Sequence, residues 1–119
     1  MRNNALWNCK NPFQGSMEKV LCVCSAGLLR SPTIAYILSN HGFNTRAVGI
    51  HDYALIQIDE VLIEWADKII CAEQSVADHL KKKYNIDYAI SLDIPDSFGF
   101  REAKLMKIVE EKLHELEII

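Results

Sequence analysis

The chain has no basic run longer than Lys81-Lys82-Lys83, and its formal charge is -3. A nucleic-acid ligand therefore has no electrostatic footprint to bind. No apolar stretch is long enough to span a bilayer, and the opening MRNNALWNCKNPFQGS lacks the basic start and continuous apolar segment of a secretory signal. The cytoplasm is the expected compartment. Only four cysteines occur, Cys9, Cys22, Cys24 and Cys71, with no C-x-x-C pair and no histidine pair at ligand spacing. That excludes the usual structural zinc patterns and points to reduced thiols, one of them reactive, rather than a disulfide framework. Internal repeats and low-complexity linkers are also missing.

What is present is a 119-residue chain, half of it apolar, enough for one domain with one core. EKVLCVC is short, apolar and bounded by polar residues, as expected of a strand buried on both faces. SPTIAYILSNHG reads as a helix, with Ser31 before Pro32 at its start and a glycine at its end. FNTRAVGI reads as a second strand. IDEVLIEWA reads as a short helix with Val61, Leu62 and Trp65 on one face, and KIICA as a third strand. SVADHLKKKYN follows as a surface helix capped by Ser75, and YAISLDI as a fourth strand. EAKLMKIVEEKLHEL closes the chain as a helix with Leu105, Ile108, Val109, Lys112 and Leu116 on one face. Strands alternating with helices imply a parallel sheet with helices on both faces, whose ligand sits beyond the carboxyl ends of the strands. The loops starting at Cys24, Ile50, Ala72 and Ile94 gather there. Residues 1–17 stand outside the pattern. They are read as a native extension packed by Trp7 and Phe13, in preference to an expression remnant at Gly15-Ser16.

The loop VCSAGLLRSP departs from ordinary core composition. Cys24 and Arg30 form C-x5-R between a buried strand and a helix start. A five-residue loop there can curl so that the N–H groups of Ser25, Ala26, Gly27, Leu28, Leu29 and Arg30 face inward and cradle a tetrahedral anion. Gly27 supplies a position free to take positive φ. Arg30 offers a planar fork to two phosphate oxygens, a contact that lysine cannot reproduce. The same donors and the helix start favour the thiolate of Cys24 over the thiol, and Ser31 can donate its hydroxyl to the sulfur. A thiolate at the floor of a phosphate nest is a nucleophile aimed at phosphorus.

The departing oxygen needs a proton. Asp96, in the turn DIPDSFGF just after the fourth strand, is the candidate acid. Asp93 falls inside the strand reading, and Glu102 falls in a first helical turn, where acidic residues serve the helix dipole. Phe98, then Tyr53, are candidate walls for an aryl group, although Tyr53 is equally readable as a packing residue. His51 reads as a solvent-facing loop residue. Cys22 and Cys71 read as buried, unreactive strand thiols, with a Cys24–Cys71 bridge as the alternative for Cys71.

These residues resemble the low-molecular-weight protein tyrosine phosphatase family over nearly all of the chain from Val20 onward. VCSAGLLRSP is similar to the family's V-C-x-x-x-x-x-R-S-P loop, DIPDSFGF to its late acid segment, commonly P-D-P-Y, and TRAVGI to its S-A-G strand end. Gly27 stands where the family usually has asparagine, Leu29 where many members have a second cysteine, and Ser97 where a proline follows the acid. The Leu29 departure removes the protective disulfide within the loop. The expected architecture is a single three-layer α/β domain over residues 18–119. It has a four-stranded parallel sheet in flavodoxin-like order 2-1-3-4 and helices on both faces.

The resemblance implies a cofactor- and metal-independent cysteine phosphatase acting on phosphotyrosine in proteins or on small aryl phosphates. It places Cys24, Arg30 and Asp96 in catalysis and residues 25–31 around the phosphate. Arsenate reductase, which needs relay cysteines, a phosphate-binding module without turnover, and hydrolysis of phosphoarginine are the competing readings.

Overall fold

A computed structural model of the chain describes residues 16–25, 30–52, 54, 56–94 and 103–119. Its elements run β1 (Lys19–Cys24), α1 (Arg30–Asn40), β2 (Asn44–Gly49), α2 (Glu60–Trp65), β3 (Lys68–Cys71), α3 (Gln74–Tyr84), β4 (Ile90–Ser91) and α4 (Ala103–Glu115). The strands form one four-stranded sheet in the order β2-β1-β3-β4, with every pairing parallel. The expected order is the one observed.

β1 lies centrally because nothing in Val20–Cys24 needs water: all five side chains are buried. Period-two geometry sends them alternately to two cores. Val20, Cys22 and Cys24 join Ile34, Leu38, Leu105, Val109 and Leu113 beneath α1 and α4, whereas Leu21 and Val23 join Leu62, Ile69, Cys71, Val76 and Leu80 beneath α2 and α3. Helices thus cover both faces. Each large apolar side chain so buried contributes about 1.5–3 kcal/mol relative to exposure, so the chemistry-bearing loop after Cys24 is anchored on the best-buried strand.

Helix ends account for where the chain turns. Pro32 falls in the first turn of α1, where its missing N–H leaves no intrahelical bond unmade. α1 ends with Phe43 N–H donating to the Leu38 carbonyl (3.1 Å) and Gly42 N–H to that of Ser39 (3.1 Å), the paired bonds of a Schellman ending. Gly42 has φ +101°, and a Cβ there would meet Met17 Sδ at 2.7 Å. In α2, Asp59 caps by accepting from Leu62 N–H at 3.0 Å. α3 closes on Asn85 in the left-handed region, with Lys81, Lys82 and Lys83 placed favourably in its last turn.

Several local expectations change. Ser75 is not the cap of α3: Glu73 holds that position, and Ser75 lies inside the first turn. Ser31 lies within α1 rather than before it, its hydroxyl taken by tertiary partners instead of a helix N–H. The fourth strand contracts from residues 88–94 to Ile90–Ser91, an edge pair only half buried. Asp93 lies beyond it with φ +55°, its carboxylate accepting from Ser91 Oγ at 2.9 Å. On α2 only Leu62 is fully buried; Val61 is exposed, and Trp65 stacks under Arg46. On α4 the inward face runs through Leu105, Val109 and Leu113, and Leu116 is exposed beyond the helix end. No described helix is long and apolar enough to cross a membrane.

Candidate active site at the carboxyl ends of the strands

In the order β2-β1-β3-β4 the chain leaves β1 in one direction for β2 and crosses back to β3 on the other side. The crevice of such a sheet therefore opens at the carboxyl ends of β1 and β3. Cys24 ends β1 there, with its side chain buried. Its thiol donates to Ser31 Oγ at 3.2 Å, and the Ser31 hydroxyl donates onward to the Val48 carbonyl of β2 at 3.1 Å. Ser31 is itself fully buried. If the sulfur ionises, it becomes an acceptor, and rotation of the same hydroxyl turns a donor toward it. The pair is thus competent for both states of the nucleophile.

Arg30, at the start of α1, is 3 % exposed. A guanidinium so deeply placed is costly unless every side of its charge is answered. Its Nη1 donates to Glu73 Oε2 at 2.7 Å and to the Ile94 carbonyl at 3.0 Å, and its Nη2 donates to Ser25 Oγ at 3.3 Å. Ser25 is held from the other side as well: its carbonyl accepts from the backbone N–H groups of Ile50 (3.0 Å) and His51 (3.1 Å). Segments following all four strands therefore meet around Ser25 and Arg30. The guanidinium points into this junction rather than into bulk solvent.

Of the residues singled out from the sequence, the structure brings together Cys24, Ser25, Arg30 and Ser31. Ala26, Gly27, Leu28 and Leu29 of the anion loop, the acid candidate Asp96, its rival Glu102, and the wall candidates Tyr53 and Phe98 lie outside the described residues. His51 is exposed and enters the site through its backbone N–H. A groove of about 380 Å³ lined by Glu73, Gln74, Ser75, Asp93 and Ile94 adjoins the junction. A cleft of about 430 Å³ between Gln57, Ile58, Asp59, Glu60, Lys83 and Tyr84 holds no cysteine and lies along α2 and α3 instead.

The other described thiols are of a different kind. Burial, reinforced by neighbouring Cys71 and Cys24, pushes the Cys22 thiol well up, and burial alone pushes Cys71 up to about 12. Cys71 pairs in register with Val23 and packs in the core beneath α2 and α3, whereas Cys24 faces the core beneath α1 and α4. The sheet separates the two sulfurs, which removes the geometry for a Cys24–Cys71 bridge. Among the described residues no three His, Cys, Asp or Glu side chains cluster as a metal site.

Glu73 was not singled out from the sequence. The signal was an acidic residue directly after an apolar strand, at the carboxyl edge of the sheet. It is found by asking which carboxylate could answer a buried Arg30.

Solved structures share this architecture. A low-molecular-weight protein tyrosine phosphatase from T. tengcongensis superposes with a TM-score of 0.68 at 16% identity, over 87% of this chain and 100% of that one. The YwlE arginine phosphatase from Geobacillus stearothermophilus gives 0.66 at 17% identity, over 86% of this chain and 94% of that one. A YwlE mutant from Bacillus subtilis gives 0.58 at 18% identity, over 86% and 93%. No protein-family model matches the chain, and no curated protein sequence matches it. The fold is that of the low-molecular-weight protein tyrosine phosphatases.

Proposed function

We propose that this fold carries a metal-independent cysteine phosphatase that hydrolyses phosphate monoesters in the cytoplasm, phosphotyrosine on proteins first among them, through a phosphocysteine intermediate. The observation that carries the reading is the junction itself: a buried cysteine bonded to Ser31 at the end of the central strand, with a buried arginine tied to the segments after β1, β3 and β4. Neither a packing role nor simple domain stability calls for a charged group there.

In the proposed reaction the Cys24 thiolate attacks phosphorus in line. The S–P bond forms as the P–O bond to the leaving group breaks, and Asp96 gives its proton to the departing oxygen. Backbone N–H groups of residues 25–30 and the Arg30 guanidinium take the charge on the three equatorial oxygens. Ser31 donates to the sulfur as it leaves in the second step. There Asp96, now a carboxylate, removes a proton from water, the new O–P bond forms, and the S–P bond breaks to release phosphate. Arginine and backbone supply the neutralising charge, so no metal or organic cofactor is called on.

Phosphoarginine is the second substrate reading, favoured by the arginine phosphatase from Geobacillus stearothermophilus that shares this fold. Arsenate reduction fits less well, because the one described thiol available as a relay, Cys71, faces the opposite core. A phosphate-binding module without turnover would need neither a nucleophilic sulfur nor an acid.

The test is hydrolysis of p-nitrophenyl phosphate with chelator present, alongside phosphotyrosine, phosphoserine and phosphoarginine peptides. Turnover is expected to survive chelation and to vanish in Cys24→Ser. Asp96→Asn is expected to lower kcat by about 10²-fold or more while inorganic phosphate still inhibits. Activity retained in Cys24→Ser, or lost on chelation, rejects the mechanism. Preference among the peptides decides the substrate.

A further inference from the structure

Glu73 sits at the N-cap of α3, yet its side chain makes no capping bond to that helix. Glutamate is a poor cap beside serine, threonine, asparagine or aspartate, so helix stability does not account for a carboxylate here. Instead Glu73 Oε2 reaches Nη1 of Arg30, 43 residues earlier, at 2.7 Å. The same Nη1 also donates to the Ile94 carbonyl at 3.0 Å, immediately before Pro95 and two residues before Asp96 in sequence. Two acceptors on one nitrogen, one of them charged and the other backbone, leave the guanidinium little freedom to rotate about its own axis. A third bond, from Nη2 to Ser25 Oγ, ties the same plane to the first residue of the anion loop.

We infer that Glu73 is a positioning residue: its carboxylate fixes the plane of the Arg30 guanidinium and, through that plane, holds Ile94, on the segment after β4, against Ser25 at the start of the anion loop. The inference rests on the phosphatase reading above and adds to it a residue that touches neither substrate nor nucleophile. A misoriented guanidinium still attracts an anion, since its charge is unchanged. It matches the equatorial oxygens of the transition state poorly, so the loss falls on kcat more than on KM.

Two substitutions separate positioning from bulk stability. Glu73→Gln keeps a carbonyl oxygen of the same reach for Nη1. Glu73→Ser removes the reach and gives α3 a better cap than it has now. With p-nitrophenyl phosphate, and at a temperature well below both melting midpoints, kcat per folded enzyme is expected to fall about 10- to 100-fold in Glu73→Ser. It is expected to fall less than about threefold in Glu73→Gln, with KM moving less than kcat in both. Wild-type kcat in Glu73→Ser overturns the inference, and so does an equal loss in the two variants, which would assign the effect to charge rather than orientation.

Calorimetric binding of inorganic phosphate separates this inference from the reading beneath it. If the wild type binds phosphate without turnover, the phosphatase reading fails. The role of Glu73 then stands only if Glu73→Ser weakens binding of vanadate, which presents the equatorial oxygens of a transition state, about tenfold more than it weakens binding of phosphate, and equal changes for the two anions overturn it. A wild type that neither turns over nor binds phosphate overturns both.

Discussion

Two arginines are buried among the described residues, and their surroundings differ in kind. Arg30, 3 % exposed, is answered from a distance: Ser25, Glu73 and Ile94 lie 5, 43 and 64 residues away, on segments that follow three different strands. Arg46, 8 % exposed on β2, is answered mostly from its own strand. It donates to Asn44 Oδ1 and to the Thr45 carbonyl, both at 2.8 Å, and its guanidinium lies 4.6 Å above the centroid of the Trp65 ring. Local acceptors and an aromatic face are the ordinary means of seating a cation on the side of a sheet. Long-range acceptors that converge from separate loops bring those loops to one point, and a phosphate site needs that convergence.

The strongest way to break this comparison is to replace each arginine by lysine. Lysine keeps the charge but loses the planar fork and reaches fewer partners at once. Arg30→Lys is expected to lower kcat/KM for an aryl phosphate by about 10²- to 10³-fold, the scale seen when one preorganised donor to a developing oxyanion is lost. Arg46→Lys is expected to leave kcat/KM within about twofold, because Asn44, Thr45 and Trp65, which seat its guanidinium, are not among the residues that meet at the junction. Steady-state kinetics on the two variants at matched folded concentration decides it. Comparable losses in both would mean that distance of the partners says nothing about function.

A smaller effect sharpens the same contrast from the stability side. Arg46→Met keeps an apolar stem against Trp65 and loses the cation and its two donated bonds. It is expected to cost about 1 kcal/mol, which at this size lowers the melting midpoint by roughly 4–8 °C, with activity at 25 °C unchanged. A scanning melt with a parallel assay checks both halves.

Much of this was legible before any coordinates. The apolar runs KVLC and KIIC carry no two-residue alternation, so they had to be covered on both faces, whereas the order of the sheet came with the resemblance to the phosphatase family and not from the runs themselves. Cys24, Arg30 and Ser31 were legible because C-x5-R between a strand and a helix start states its own geometry. What could not be read is what depends on partners far apart in sequence. YAISLDI contains enough apolar residues for a full strand, but as an edge it is hydrogen-bonded on one side only, and just Ile90 and Ser91 stay in the ladder. Ser75 is the better intrinsic cap, yet α3 begins one residue before it, and the cap position falls to Glu73, whose carboxylate is spent on Arg30. A pairing across 43 residues leaves no periodicity in the sequence to detect.

His79 supplies a third solution to the problem the two arginines pose. Its Nε2 is buried, with no hydrogen-bond partner among the described residues, while the residue as a whole is half-buried. Desolvation first, then the charges of Lys83 and His51, hold its pKa below the usual histidine value of 6.5. Where Arg30 recruits a carboxylate and Arg46 an aromatic ring, His79 stays neutral. Because the folded pKa lies below the unfolded one, the unfolded chain takes up the proton first as pH falls. Stability is therefore unaffected well above 6.5 and declines as pH drops from about 6.5 toward the folded value. His79→Gln, which cannot titrate, is expected to lose less of its melting midpoint than the wild type between pH 7.5 and 5.5. The difference should be no more than about 4 °C, because the residue is only half-buried. Identical acid slopes in the two proteins would mean that this histidine carries its proton as easily folded as unfolded, and the contrast would then rest on the two arginines alone.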